Sequence, residues 1–211
     1  TVQTAPANFT LSANAAAPIG SIAKVEFYNG ATLIGSATAA PYTYIWNNVP
    51  AGSYTITAKA TDGYGITNTS AAINVVSNAT PTVSLTGTAA NAVSVAPGSF
   101  TLTAEAADSD GTIAKVEFYA GNGTTTALIG MATAAPYSVD WSNAPAGSYT
   151  LTAKATDNHG AATTSSAVGV TVKTGVAQAY YIHTDHLNTP RTITDGSGTV
   201  VWQWDNTDPF G

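Results

Sequence analysis

Three acids stand where turns are expected. Ala107–Thr112 reads ADSDGT and sets Asp108 beside Asp110, while Asp157 ends a later strand-like run and falls in what should be a nearby loop. Ca²⁺ takes roughly six to eight oxygen ligands from carboxylates and carbonyls, so Asp108, Asp110 and Asp157 are a candidate calcium site. The competing reading is a D-x-D-G turn whose aspartates bond their own backbone. His183, Asp185 and His186 form a second group, with His159 the remaining histidine. Zn²⁺ prefers about three or four N or S ligands, and this group falls short of that. The chain has no Cys, which removes disulfides, thiolate ligands and a cysteine nucleophile. No G-x-S-x-G elbow or pair of catalytic carboxylates is present. The expectation is a protein that is not an enzyme and has no cofactor, calcium being the one ion its acids suit.

These residues sit in a weakly charged chain. Charged residues make up 9% of its 211 positions, against roughly 25% in an average soluble domain. The net charge is −6, and Lys24, Lys59, Lys115, Lys154, Lys173 and Arg191 are scattered. Binding nucleic acid by neutralising phosphates needs a basic patch, and none is present. No stretch approaches the roughly 18 apolar residues of a membrane helix. The chain opens at Thr1 without a charged and then apolar leader, so a secreted protein with its signal peptide removed is expected.

The elements that must position the acids come from a repeat. Ile22–Tyr28 and Ile113–Tyr119 both read IAKVEFY, Ala39–Tyr42 returns as Ala134–Tyr137, and Pro50–Asp62 (PAGSYTITAKATD) returns as Pro145–Asp157 (PAGSYTLTAKATD). The second copy gains four residues near Gly121–Thr126, predicting a longer hairpin loop there. Inside each copy the apolar period is two. Tyr54, Ile56, Ala58 and Ala60 alternate with Thr55, Thr57, Lys59 and Thr61, and Val25 and Phe27 alternate with Lys24, Glu26 and Tyr28. That pattern makes strands with one buried face. Short strands punctuated by Gly, Pro or Asn predict an all-β fold of two tandem immunoglobulin-like sandwiches, over 1–77 and 78–173, with a β-hairpin tail over 174–211.

The two copies begin differently. The second has Pro81–Thr86 (PTVSLT) ahead of its Phe100 strand. Laying Ala5–Phe9 on Ala96–Phe100 puts Thr1 on Ala92, so the first copy is expected to lack its A strand. An open sheet edge and groove should result around Thr1–Leu11, where Val2, Phe9 and Leu11 would contact a partner. The edge belongs either to a cut chain or to a sandwich completed by another chain.

The repeated unit, with KVEFYNGATLIGSATAAPYTYIW and PAGSYTITAKATDGYG, resembles bacterial Ig-like domains found in tandem in surface proteins and secreted glycoside hydrolases. The resemblance implies seven-stranded sandwiches serving as spacers or binding stalks, with Tyr54 and Tyr149 in a corner hydrogen bond. Trp46 and Trp141 are expected in the core. Lys–Asn isopeptide links occur in some such domains, but Lys24 and Lys115 beside Glu26 and Glu117 alternate outward and read as a solvated face. The sequons at Asn8, Asn68, Asn78 and Asn122 are expected by chance in a Thr-rich chain.

The tail resembles the YD repeats of RHS proteins, through Tyr181, His183, Asp185, His186, Pro190 and Arg191 and through Trp202–Phe210. That signature explains the histidines without zinc. About one repeat is present, so the family's shell and toxin are not implied. A hairpin exposing Tyr180, Tyr181, Ile182, Ile193, Val200, Val201, Trp202 and Trp204 needs a partner. The expected function is an extracellular structural subunit that self-assembles head to tail, the tail of one copy completing the first sandwich of the next. The alternatives are a spacer or adhesion stalk of a larger RHS-type protein and a glycan-binding accessory module.

Overall fold

The computed structural model describes residues 1–175, 181–184, 190–194 and 199–203, and every helix-or-strand element among them is a strand. The first sandwich contains β1 (Val2–Thr4), β2 (Ala7–Ala13), β3 (Ile22–Asn29), β4 (Thr32–Ala37), β5 (Tyr42–Val49), β6 (Gly52–Asp62), β7 (Thr67–Thr69) and β8 (Ile73–Asn78). One sheet runs β1-β8-β6-β3-β4, with β7 on β6, and the other is the pair β2-β5. The period-two residues do what alternation dictates. Val25, Phe27 and Ile56 are buried, with Phe9 and Leu11 facing them from β2.

The second sandwich contains β9 (Thr82–Leu85), β10 (Ala92–Val95), β11 (Gly98–Ala107), β12 (Ile113–Gly121), β13 (Thr126–Ala132), β14 (Tyr137–Ala144), β15 (Gly147–Asp157), β16 (Ala162–Thr164) and β17 (Val168–Lys173). Its larger sheet, β10-β17-β15-β12-β13 with β16 on β15, repeats the first copy. Its smaller sheet has three strands, β14-β11-β9, where the first copy has two. The gained residues lengthen the β12–β13 loop, in which Asn122 Oδ1 accepts the backbone N–H groups of Thr124 and Thr125 at 3.0 and 2.8 Å.

Each sandwich is pinned by an aromatic triplet. Trp46 lies between Phe9 and Tyr54, with ring centroids 6.3 and 5.0 Å away; Trp141 lies between Phe100 and Tyr149 at 5.8 and 4.9 Å. The tryptophans are half-buried, lidding the core rather than filling it. The corner bonds are present: Tyr54 Oη donates to Pro50 O at 2.9 Å and Tyr149 Oη to Pro145 O at 3.0 Å. Thr1–Val172 form one compact unit and Lys173–Gly211 a second.

The tail departs from a two-stranded hairpin. It folds as an antiparallel sheet of three strands, β18 (Tyr181–Thr184), β19 (Pro190–Thr194) and β20 (Val200–Gln203), with β19 in the middle. The arm expected to be continuous contains two strands that pair with each other, Thr184 opposite Pro190. Proline has no N–H for a ladder and is tolerated as the first residue of a strand.

Candidate functional site

The unequal small sheets create a groove. In the second copy β9 pairs antiparallel with β11, matching Ala104 with Leu85 and Ala106 with Val83. In the first copy no strand among the described residues pairs with that edge of β2. A groove of about 560 Å³ lies there, floored by Phe9, Leu11, Val25 and Phe27 and flanked by Ala58, Ala60 and Ser70. Among the described residues no Asp, Glu, Lys or Arg side chain lines it. Identical residues record the difference. Ala153 and Ala155 are 0% exposed, whereas their counterparts Ala58 and Ala60 are only partly buried. Ser165 is buried and Ser70 is exposed, although each hydroxyl accepts the same backbone N–H, from Ala153 and Ala58, at 3.0 Å.

The structure places the expected contact residues unequally. Phe9 and Leu11 are core residues, 3% and 5% exposed, and reach the groove only as its floor. Val2 is exposed on β1, and its neighbours Thr1 and Gln3, not Val2, line the groove. In the tail Ile182 pairs with Ile193 and Ile193 with Trp202, a cross-strand apolar row on one face. Ile182, Val200, Val201 and Trp202 are exposed and Ile193 is half-buried. Tyr181 belongs to β18, but its side chain, with Tyr180 and Trp204, lies outside the described residues.

The acids gather at the junction of the two sandwiches. Asp157 is 2% exposed; its Oδ1 accepts the backbone N–H groups of His159 and Ala161 at 2.8 and 2.9 Å, and its Oδ2 accepts Asn78 Nδ2 at 2.7 Å. Burial alone would raise its pKa, but the Asn78 amide and the turn N–H groups outweigh this and hold it below the ordinary carboxylate value. Asp110 accepts the linker N–H of Ala79 at 3.1 Å. Asp108 accepts no hydrogen bond, and both its carboxylate oxygens are shielded from solvent. Burial first, and then the charges of Asp110 and Asp157, push its pKa up, against a nearby Asp110 N–H that lowers it. The turn thus spends the Asp110 carboxylate on the linker, while the Asp110 N–H is the one group of the turn that acts favourably on the Asp108 carboxylate. In the first copy Asp62 Oδ1 accepts Tyr64 N and Ile66 N, both at 2.9 Å, and the turn ends there.

Asn78 is the residue that sequence reasoning passed over, marked only as a sequon. It is 2% exposed, sealed beneath the junction. Its role depends on a partner 79 residues away, and no local pattern announces that. Among the described residues no three His, Cys, Asp or Glu side chains stand gathered around a metal. The His183 side chain, Asp185 and His186 lie outside the described residues. Lys24 and Lys115 each pair with the glutamate two residues on, at 2.8 and 3.0 Å, on an outward face.

Residues 1–58 and 81–153 match the family model described as bacterial Ig domain, and residues 179–207 match the model described as RHS protein. No curated protein matches the chain at a significant level. Among solved structures, the fibronectin(III)-like modules of Clostridium thermocellum CbhA are similar at 33% identity, over 86% of this chain and 94% of that one, with a TM-score of 0.48. The amphioxus IgVJ-C2 molecule is similar at 12% identity over 82% and 100% of the chains, with a TM-score of 0.42. The chicken CNTN1 FN1–FN3 domains are similar at 13% identity over 82% and 62%, with a TM-score of 0.40. The repeat, the paired sandwiches and a family match covering more than half of the chain agree: this protein belongs to the bacterial Ig domain family and carries an RHS segment near its C-terminal end.

Proposed function

We propose that the chain is an extracellular structural subunit that assembles head to tail, the RHS segment of one copy supplying a strand to the open first sandwich of the next. Bacterial Ig and RHS domains are typical of extracellular or surface proteins and of structural or stalk modules, which supports the location and the class. The observation that carries the reading is the contrast between Ala58 and Ala153. The same side chain, on the same strand of the same fold, is half-covered in one copy and fully covered in the other, where β9 lies over it.

The donor is argued from chemistry. β9 is an uncharged strand, Thr82–Leu85, whose Val83 and Leu85 pack on the core. The groove is likewise uncharged. β20 lies at the edge of its sheet, is uncharged, and exposes Val200, Val201 and Trp202. Burying about 1,000 Å² of such surface gives a gross gain of about 25 kcal/mol, much of it offset by ordering and association.

Light scattering tests this on the full chain and on a chain lacking residues 176–211. The expected outcome is mass that grows with concentration for the first and a fixed monomer for the second. A full chain that stays monomeric at millimolar concentration refutes the reading. So does a secreted form in which residues ahead of Thr1 already fill the groove. Equal behaviour of the two chains would leave a passive stalk.

A further inference from the structure

Among the described residues no basic side chain pairs with the acids of the junction. Asp108, Asp110 and Asp157 lie close enough for the latter two to act on Asp108 through their charges. The ion pairs among the described residues, Lys24–Glu26 and Lys115–Glu117, leave all three untouched. Asp108 presents two shielded oxygens that accept no hydrogen bond. An ionised carboxylate in that state carries a large desolvation cost unless a cation compensates it.

A second observation is independent of the acids. Asn78 comes from the other sandwich and is 2% exposed; its Nδ2 is fixed on Asp157, while its Oδ1 has no partner. A buried amide oxygen left unbonded, on the residue that already holds one acid of the cluster, points to a missing partner of positive charge. The backbone leaves room as well. A Cβ on Gly111 would run into Asp108 Oδ2 and Asn158 Oδ1, so the glycine lets these two oxygens converge on the turn.

We propose that this junction binds Ca²⁺ through the carboxylates of Asp108, Asp110 and Asp157 and through Asn78 Oδ1. The donors are all hard oxygens from flexible turns, which suits Ca²⁺ better than the strict octahedron of Mg²⁺. The acids are not yet gathered as a metal-holding group, so the ion must draw them in. Affinity therefore belongs at the weak, extracellular end, a Kd of about 10⁻⁴ to 10⁻³ M. Because Asn78 ends β8 of the first sandwich and Asp110 holds Ala79 just after it, the ion would tie the two sandwiches together. The first copy is an internal control: Ala17 and Ile19 stand where Asp108 and Asp110 stand.

Calorimetric titration of the EDTA-stripped full chain with CaCl₂, paired with thermal melts in CaCl₂, MgCl₂ and EDTA at matched ionic strength, tests the site. Saturable binding and a melting point a few degrees higher in saturating CaCl₂ are expected. Asp108→Asn should weaken binding by about tenfold or more, and since Asp108 makes no hydrogen bond the variant should fold. Asp62→Asn, in the first copy, should leave binding unchanged. Absence of calcium heat with identical melts in CaCl₂ and EDTA overturns the proposal and leaves Asp108 holding a proton shared with Asp110. Binding that is indifferent to Asp108→Asn overturns it too.

Discussion

Asn78 donates from Nδ2 to Asp157 Oδ2 at 2.7 Å, joining the last residue of β8 in one sandwich to the last residue of β15 in the next. Both residues are 2% exposed. A charge-assisted bond that deep is among the stronger kinds. It makes the linker part of the second domain rather than a tether.

The pair should be measurable as a coupling. In EDTA, Asn78→Ala and Asp157→Ala are each expected to destabilise the chain by about 2–4 kcal/mol, since each strands a buried polar partner. The double variant should cost less than the sum of the two, with a coupling of about 1–2 kcal/mol. Denaturant unfolding of the four chains checks this; strict additivity would mean that the bond contributes nothing.

The groove predicts an asymmetry between identical residues. Ala153→Leu overfills a closed core and should cost about 1–3 kcal/mol or more. Ala58→Leu opens into the groove and should cost much less. The same Ala58→Leu change should obstruct an incoming strand and so reduce the mass seen by light scattering. Equal destabilisation at the two sites would show that the groove is closed in solution.

Gly35 makes a third test. A Cβ there would overlap the ring of Tyr44, which crosses from the opposite sheet. At the equivalent Gly130 it would meet Val139 Cγ1 at 3.1 Å, a tight but softer contact. Gly35→Ala should therefore destabilise its sandwich by about 1–3 kcal/mol and Gly130→Ala by less. Thermal melts of the two variants give the order, and the reverse order would contradict the packing described.

The corner bonds are expected to be equivalent. Tyr54→Phe and Tyr149→Phe each remove one hydroxyl bond to a proline carbonyl and leave the ring stack intact. Each should cost about 1 kcal/mol. A negligible loss at one site would mean that water replaces the bond there.

How far the sequence carried the reading differs with the range of the interaction. Strands were legible because alternation is local: Tyr54, Ile56, Ala58 and Ala60 name one face of β6 without reference to anything else. The repeat located equivalent strands, and the corner tyrosines came from the resemblance to bacterial Ig-like domains. The tail was read one strand short, because Thr184 pairs antiparallel with Pro190 and the run read as one arm is two strands. The acids were visible as a group, but their consequence was not. Whether Asp108 is satisfied by its own turn or left bare depends on where Asp110 and Asn78 go, and both contacts are long-range. Phe9 and Leu11 show the same limit: the residues nearest an open edge proved to be its floor, a matter of sheet packing rather than of sequence position.

The parallel pairing of β1 with β8 has a mechanical consequence. Val2, Gln3 and Thr4 run alongside Val76, Ser77 and Asn78 in the same direction. Tension applied between Thr1 and the linker at Asn78 therefore pulls the two strands past each other, lengthwise. The bonds of that short ladder are loaded together rather than peeled one at a time. The first sandwich, stretched between these two points, would meet its resistance at that clasp.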